Sequence, residues 1–147
     1  MTNAEFRDLC RATCLALNLQ DTSMLGEQGQ IEIDDVSIGA FFDEDSDTTI
    51  NCYVDLGAVD ANDKAEMFEQ MLELNLELGR QHGETLGFDR DTGRMVLRSE
   101  LSDPEQWDGE QMAALFHDYA NFAKEFRAQM HEGSQYEDEH PAQDELV

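Results

Sequence analysis

The sequence predicts a small single α/β (α+β) domain in the order α-β-β-β-α-β-β-α, with a twisted antiparallel sheet packed by helices. Three observations carry this. Apolar residues recur with helical spacing near both ends and once in the middle. Between these segments they alternate with period two. The intervening turns are short and rich in Asp and Gly, as antiparallel neighbours require.

From Ala4 to Leu17, the residues Phe6, Leu9, Cys10, Thr13 (by its methyl) and Leu17 form one helical stripe. "GEQGQ" interrupts it. Ile31 and Ile33 then alternate with Glu32 and Asp34, and Val36, Ile38, Ala40 and Phe42 continue on the other parity, so a turn or bulge falls at Asp34-Asp35. "DEDSD", Asp43 to Asp47, is the next turn. Ile50, Cys52, Val54 and Leu56 then share one strand face, which completes a meander.

Asp60 and Asn62 are candidate N-caps for the run "AEMFEQMLELNLELGR", which closes near Gly79 or Gly83. Met67, Met71, Leu74 and Leu78 lie on one face of this helix, and Phe68, Leu72 and Leu76 on an adjacent one. That band is wider than one sheet can cover, so a homodimer through Met67, Met71, Leu74 and Leu78 is expected. Leu86 and Phe88 alternate before "DRDTGRMVL", and Met95, Leu97 and Leu101 after it. Pro104 stands ahead of a last amphipathic helix marked by Met112, Leu115, Phe116, Tyr119, Phe122, Phe126 and Met130. From Glu132 the chain has six carboxylates and no Lys or Arg. The expected division is therefore a domain over 1–131 and a disordered acidic tail over 132–147.

The Asp89–Leu97 stretch superficially resembles a calcium loop. Gly93 stands at its fifth position rather than the sixth, and strands rather than helices flank it, so it reads as a hairpin turn and not as a metal site. Cys10, Cys14 and Cys52 make an odd set with no zinc-like second pair, and they read as buried reduced thiols. His82, His117, His131 and His140 are scattered, with His117 expected at a rim or core edge. With 34 acidic residues no carboxylate pair is informative, so neither a catalytic residue nor a cofactor is assigned, and a binding role is favoured over an enzyme.

The formal charge of −25 in 147 residues disfavours nucleic acid and anionic membranes as partners. "MTNAEFRDLCRATCLALNLQ" contains neither a signal-peptide apolar region nor a span, so the cytoplasm is the expected location.

The stretch "MFEQMLELNLELGRQHGETLGFDRDTGRMVLRSEL" resembles the central signature of the class I type III secretion chaperones, the Tir-chaperone-like family of bacteria. The matching residues are Met71, Leu72, Asn75, Asp89, Thr92, Gly93, Arg94, Val96 and Leu97. The likeness extends in element order over about residues 4 to 131; the acidic tail is longer than the family pattern needs. It implies a homodimer that binds the extended N-terminal segment of a secreted effector, keeps it soluble, and presents it to the export apparatus, with the secretion ATPase as a further partner. The apolar residues assigned to the client are Phe6, Leu9 and Leu17 on the first helix and Val36, Ile38, Phe41 and Phe42 on the strands. Phe41 breaks their alternation, so at least one of the two adjacent rings is expected to face away from the core; the alternative is that both are buried, one in the core and the other under a loop or the dimer partner. The rival reading is an acidic regulator of the same fold that masks a basic partner.

Overall fold

The computed structural model describes residues 1–139, with side chains through Met130. Helix α1 (Asn3–Ala16) opens with a capping box: Thr2 Oγ1 accepts from the Glu5 N–H at 3.1 Å, and the Glu5 carboxylate accepts from the Thr2 N–H at 2.8 Å. A short helix α2 (Met24–Gln28) follows, absent from the sequence expectation because five residues cannot show a period; Leu25, fully buried, pins it to the core. The strands are β1 (Gln30–Ile33), β2 (Val36–Phe41), β3 (Ile50–Ala58), β4 (Thr85–Asp89) and β5 (Arg94–Leu101). Helix α3 (Lys64–Glu77) joins β3 to β4, and α4 (Gly109–Glu139) ends the described chain.

All strand pairs are antiparallel, in the order β1-β2-β3-β5-β4. The parity change at Asp34-Asp35 is a two-residue hairpin turn in which both aspartates have left-handed φ, 50° and 66°. Such turns match the twist of the strands they join, and Asp is among the few residues that tolerate them. "DRDTGRMVL" is likewise a hairpin turn. Asp89 Oδ1 accepts from the Asp91 N–H at 3.0 Å, and Gly93 takes the left-handed φ of 71°.

Helices α1 and α4 pack together over one face of the sheet. Beneath them lie Ile31, Ile38, Ile50, Val54, Leu56, Met95, Leu97 and Leu101, with Met112 and Phe116 of α4 set into the same core. One polar group is buried there in full company: the Tyr119 hydroxyl lies 2.8 Å from Ser99 Oγ and donates to Glu84 at 3.2 Å. The Arg127 guanidinium of α4 donates to the carbonyls of Leu56, Asp35 and Asp55, which ties α4 to the bulge between Asp55 and Gly57.

Helix α3 meets the sheet chiefly along β4, where Phe68 packs edge-on against Phe88 at 4.9 Å. Asp60 caps a one-turn 3-10 segment (Ala61–Asp63) that leads into α3, and α3 stops at Glu77, just short of Gly79. Pro104 opens a second such turn ahead of α4. The helical backbone of α4 continues to Glu139, past the point at Glu132 where composition placed the start of a disordered tail. Residues 140–147 of that expected tail lie outside the described residues.

Candidate functional site

Among the described residues no helix lies over the face of the sheet opposite α1 and α4. Period two decides what stands there: in β2 and β3 the even residues turn into the core, so Gly39, Phe41, Asn51, Tyr53 and Asp55 face outward. Phe41 is 47 % exposed and meets Tyr53 edge-on at 5.5 Å. The Arg98 guanidinium lies 5.8 Å from the centre of the Tyr53 ring. Phe41 lies over two glycines, and a methyl group added at Gly39 would stand 2.7 Å from the Gly29 carbonyl oxygen and 3.2 Å from the Phe41 ring. Gly39 is therefore required for the close approach of backbone and ring.

Phe41 separates two clefts and lines both. One, of about 530 Å³, lies between α1, α2 and the end of β2, and includes Phe6, Arg7, Gly26, Phe42, Asp43 and Asp47. The other, of about 820 Å³, spreads over the open sheet face past Ser37, Asn51, Tyr53, Asp55 and Val96. A third, of about 500 Å³, borders β1 and is formed by Leu19, Asp21, Met24, Ile31 and Glu32, among others. Asp47 belongs to the first two and also closes its own turn, with its carboxylate accepting from the Asp43 N–H at 2.9 Å.

On the open face Arg94 clasps Asp55, with Nε 2.9 and 3.0 Å and Nη2 2.8 Å from the carboxylate oxygens. Burial alone would raise the Asp55 pKa. The Arg94 hydrogen bonds, the Gly57 N–H and the charges of Arg94 and Arg127 outweigh it and hold the carboxyl below the usual range. Burial pushes the thiols of Cys10 and Cys52 up to about 12 and raises Cys14 as well. Among the described residues no three His, Cys, Asp or Glu side chains are grouped to hold a metal ion. His117 is exposed on α4 rather than set at a core edge, and His82 lies 5.4 Å edge-on from Trp107.

The structure sorts the residues assigned to the client. Phe41 is exposed, and Phe42, one residue past the end of β2, turns the other way to pack on Phe6 at 5.8 Å; the expectation that the adjacent rings diverge holds. Phe6 is a buried core residue, 7 % exposed, and only its edge forms part of the first cleft wall. Leu17 is half-buried against the core. Val36, Ile38 and Leu9 are corrected: all three are core residues, the first two because strand parity does not say which face is covered, and Leu9 because the apolar stripe of α1 packs inward. Tyr53, Leu19 and Met24 were missed. An aromatic on the polar parity of β3 was the available signal for Tyr53.

On helix α3 the expected dimer face is corrected at Met71, which is 5 % exposed, while Met67, Leu74 and Leu78 are half-buried against their own domain and keep part of their surface open. The unpartnered residues are the neighbours Leu72 and Leu76, 68 % and 88 % exposed. Asn75 has a distinct place, bonding through its side chain to both backbone groups of Leu86 on β4.

Residues 16–127 match the Tir chaperone protein (CesT) family. The chain belongs to that family. Its fold is similar to a chain in the crystal structure of the ExsC–ExsE complex, with a TM-score of 0.67, 18 % identity, and coverage of 87 % of this chain and 96 % of the other. It is also similar to a chain of the HopA1–SchA chaperone–effector complex, with a TM-score of 0.58, 15 % identity, and coverage of 86 % and 95 %. No curated protein sequence matches. The resemblance carried by Asn75, Asp89, Thr92, Gly93 and Arg94 is thus a true family relationship, and Asn75 and Gly93 have visible structural reasons in this chain. No helix among the described residues is long and apolar enough to cross a membrane.

Proposed function

We propose that this Tir-chaperone family member acts in the bacterial cytoplasm as a type III secretion chaperone: a homodimer that binds the extended N-terminal segment of a secreted effector, keeps it soluble and delivers it to the export apparatus, where the secretion ATPase receives it. The observation that carries this reading is the exposed Phe41, set on an uncovered sheet face as the shared wall of two open clefts. Exposed aromatic surface of this kind needs a partner, and an extended segment can reach both clefts at once. The chaperone–effector assembly of its structural relative supports the same reading. A net charge of −25 suits a carrier that must keep an apolar cargo in solution.

The test is co-expression with the secreted effectors of the source bacterium, followed by purification in about 1 M salt, where the screening length falls to about 3 Å. The expected result is retention of an effector whose N-terminal segment is protected from protease, and loss of the complex when that segment is deleted. Retention of a folded basic protein at low salt only would favour the acidic regulator instead, and absence of any retained effector would overturn the chaperone reading.

A further inference from the structure

Charge is unevenly shared around Phe41. Two guanidinium groups on the open face of the sheet are committed within the chain: Arg94 clasps Asp55, with Nη2 2.8 Å from the carboxylate, and Arg98 lies over the Tyr53 ring at 5.8 Å. Asp47 has no such partner. Among the described residues no ion pair includes it, and its carboxylate accepts from the Asp43 N–H through Oδ2 at 2.9 Å. Asp47 is nonetheless half-buried and lines both of the clefts that Phe41 separates.

The lining of these clefts favours one kind of neighbour for a side chain resting on Phe41. In the first cleft Glu27, Asp43 and Asp47 outnumber Arg7. In the second, Asp47, Asp55 and Asp89 outnumber Arg94, which Asp55 already holds. Apolar surface stands beside these carboxylates: Phe41 and Phe42 in the first cleft, and Phe41, Tyr53 and Val96 in the second. A group docked on the Phe41 ring therefore has acidic groups on either side, which attract an adjoining cation and repel an adjoining anion. A second copy of this face is a poor occupant, because it would set Asp47, Asp55 and Asp89 against their own likes.

Resting on the chaperone reading, we propose that Asp47 sets the specificity of the Phe41 site: it selects a client segment in which the apolar side chain docked on Phe41 is adjoined by a basic one that pairs with the Asp47 carboxylate. The bond from the Asp43 N–H engages Oδ2 and leaves the other oxygen for the client cation. The same chemistry already operates within the chain, where Asp55, an outward carboxylate of the same face, takes the Arg94 guanidinium. Asp47 is thus both a turn residue and a charge. Asp47→Asn separates the two roles, because the amide oxygen can still accept from Asp43 while the charge is gone.

The test titrates the isotope-labelled full chain with three acetylated, amidated peptides that differ at one position, Ser-Gly-Leu-X-Gly-Ser, with X as arginine, its neutral isostere citrulline, or glutamate. Amide shifts of Gly39, Phe41 and Tyr53 in NMR spectra at about 150 mM salt report binding at the site. The arginine peptide should bind roughly threefold or more tighter than the citrulline peptide, and the glutamate peptide most weakly. Asp47→Asn should bring the arginine and citrulline peptides to within about twofold of each other. Asp118→Asn, which removes an exposed carboxylate on α4, should leave the preference as in the wild type and so exclude a general effect of net charge. Equal binding of the arginine and citrulline peptides to the wild type would overturn the proposal, whether or not the variant folds, and so would a preference that survives Asp47→Asn or shifts that fall away from Phe41. Effector capture in co-purification reads the chaperone function separately: an effector retained while the peptides show no preference leaves that function standing without this role for Asp47, and a preference without any retained effector would remove the function and leave only the site.

Discussion

The side chain of Asn75 closes a two-point contact with the backbone of Leu86: the Leu86 N–H donates to Asn75 Oδ1 at 2.7 Å, and Asn75 Nδ2 donates to the Leu86 carbonyl at 3.1 Å. A helix side chain thereby stands in for the next strand at the outer edge of β4. Arg80 donates to the Asn75 carbonyl at 2.9 Å and steadies the end of α3 behind it. Asn75→Ala should cost about 1–3 kcal/mol, because it leaves two half-buried backbone groups without their partner. Urea denaturation measures the cost, and amide exchange at Leu86 should accelerate. An unchanged midpoint would mean that water replaces the amide without loss.

Both the helix carrying Asn75 and the strand carrying Leu86 were legible in the sequence, while the bond between them was not. Periodicity reports which residues share a face, and so the β2 and β3 core residues Ala40, Cys52 and Val54 could be read directly. It does not report what covers a face. That is why Val36 and Ile38 were assigned to a groove although they lie in the core. It is also why Met71, expected in a dimer contact, lies in the core, while Leu72 and Leu76 of the adjacent stripe turn outward. Helix α2 escaped because its stability comes from burying Leu25 against distant elements, which no local pattern encodes.

The cysteines give a chemical prediction. Burial raises Cys10 and Cys52 to about 12, so at pH 8 almost none of either is thiolate, the reactive form. Iodoacetamide should leave both unmodified in the folded protein and alkylate all three cysteines after unfolding in guanidinium, as read by intact mass. Rapid labelling of the folded chain would show that the core opens locally.

Asp55 supplies a pH dependence. Its folded pKa is lowered, so its contribution to stability is fully present above the unfolded value of about 4 and is lost as pH falls through the folded value. The Arg94 side chain is 43 % exposed, which limits the pair to about 1 kcal/mol. Overall stability also responds to relief of the −25 charge on acidification, so the informative quantity is the difference between wild type and Asp55→Asn. That difference should be full at pH 7 and close as the pH falls below about 4. A gap independent of pH would assign the effect to packing.

Leu72 and Leu76 stand one helical turn apart and turn outward together. If α3 forms the proposed dimer contact, Leu72→Glu combined with Leu76→Glu should convert the protein to a monomer in sedimentation experiments at micromolar concentration, with little loss of secondary structure, because neither side chain belongs to the domain core. A dimer that survives the double substitution would place the interface elsewhere.

Phe41 is the sharpest test of the candidate site. Its ring is 47 % exposed and sits at the junction of two clefts, whereas Phe42 and Phe6 pack together at 5.8 Å beneath the first. The neighbours should therefore separate on substitution. Phe41→Glu forfeits only a half-buried ring, about 1 kcal/mol of apolar burial, and places a carboxylate where an apolar client side chain would dock. Phe42→Ala loosens the packing on Phe6 and should lower the melting temperature more. With the effector identified by co-purification, Phe41→Glu should fold, dimerise and lose the client, while Phe42→Ala should be less stable and retain it in proportion to the folded fraction. Normal client binding by a folded Phe41→Glu variant would remove the open sheet face from the site.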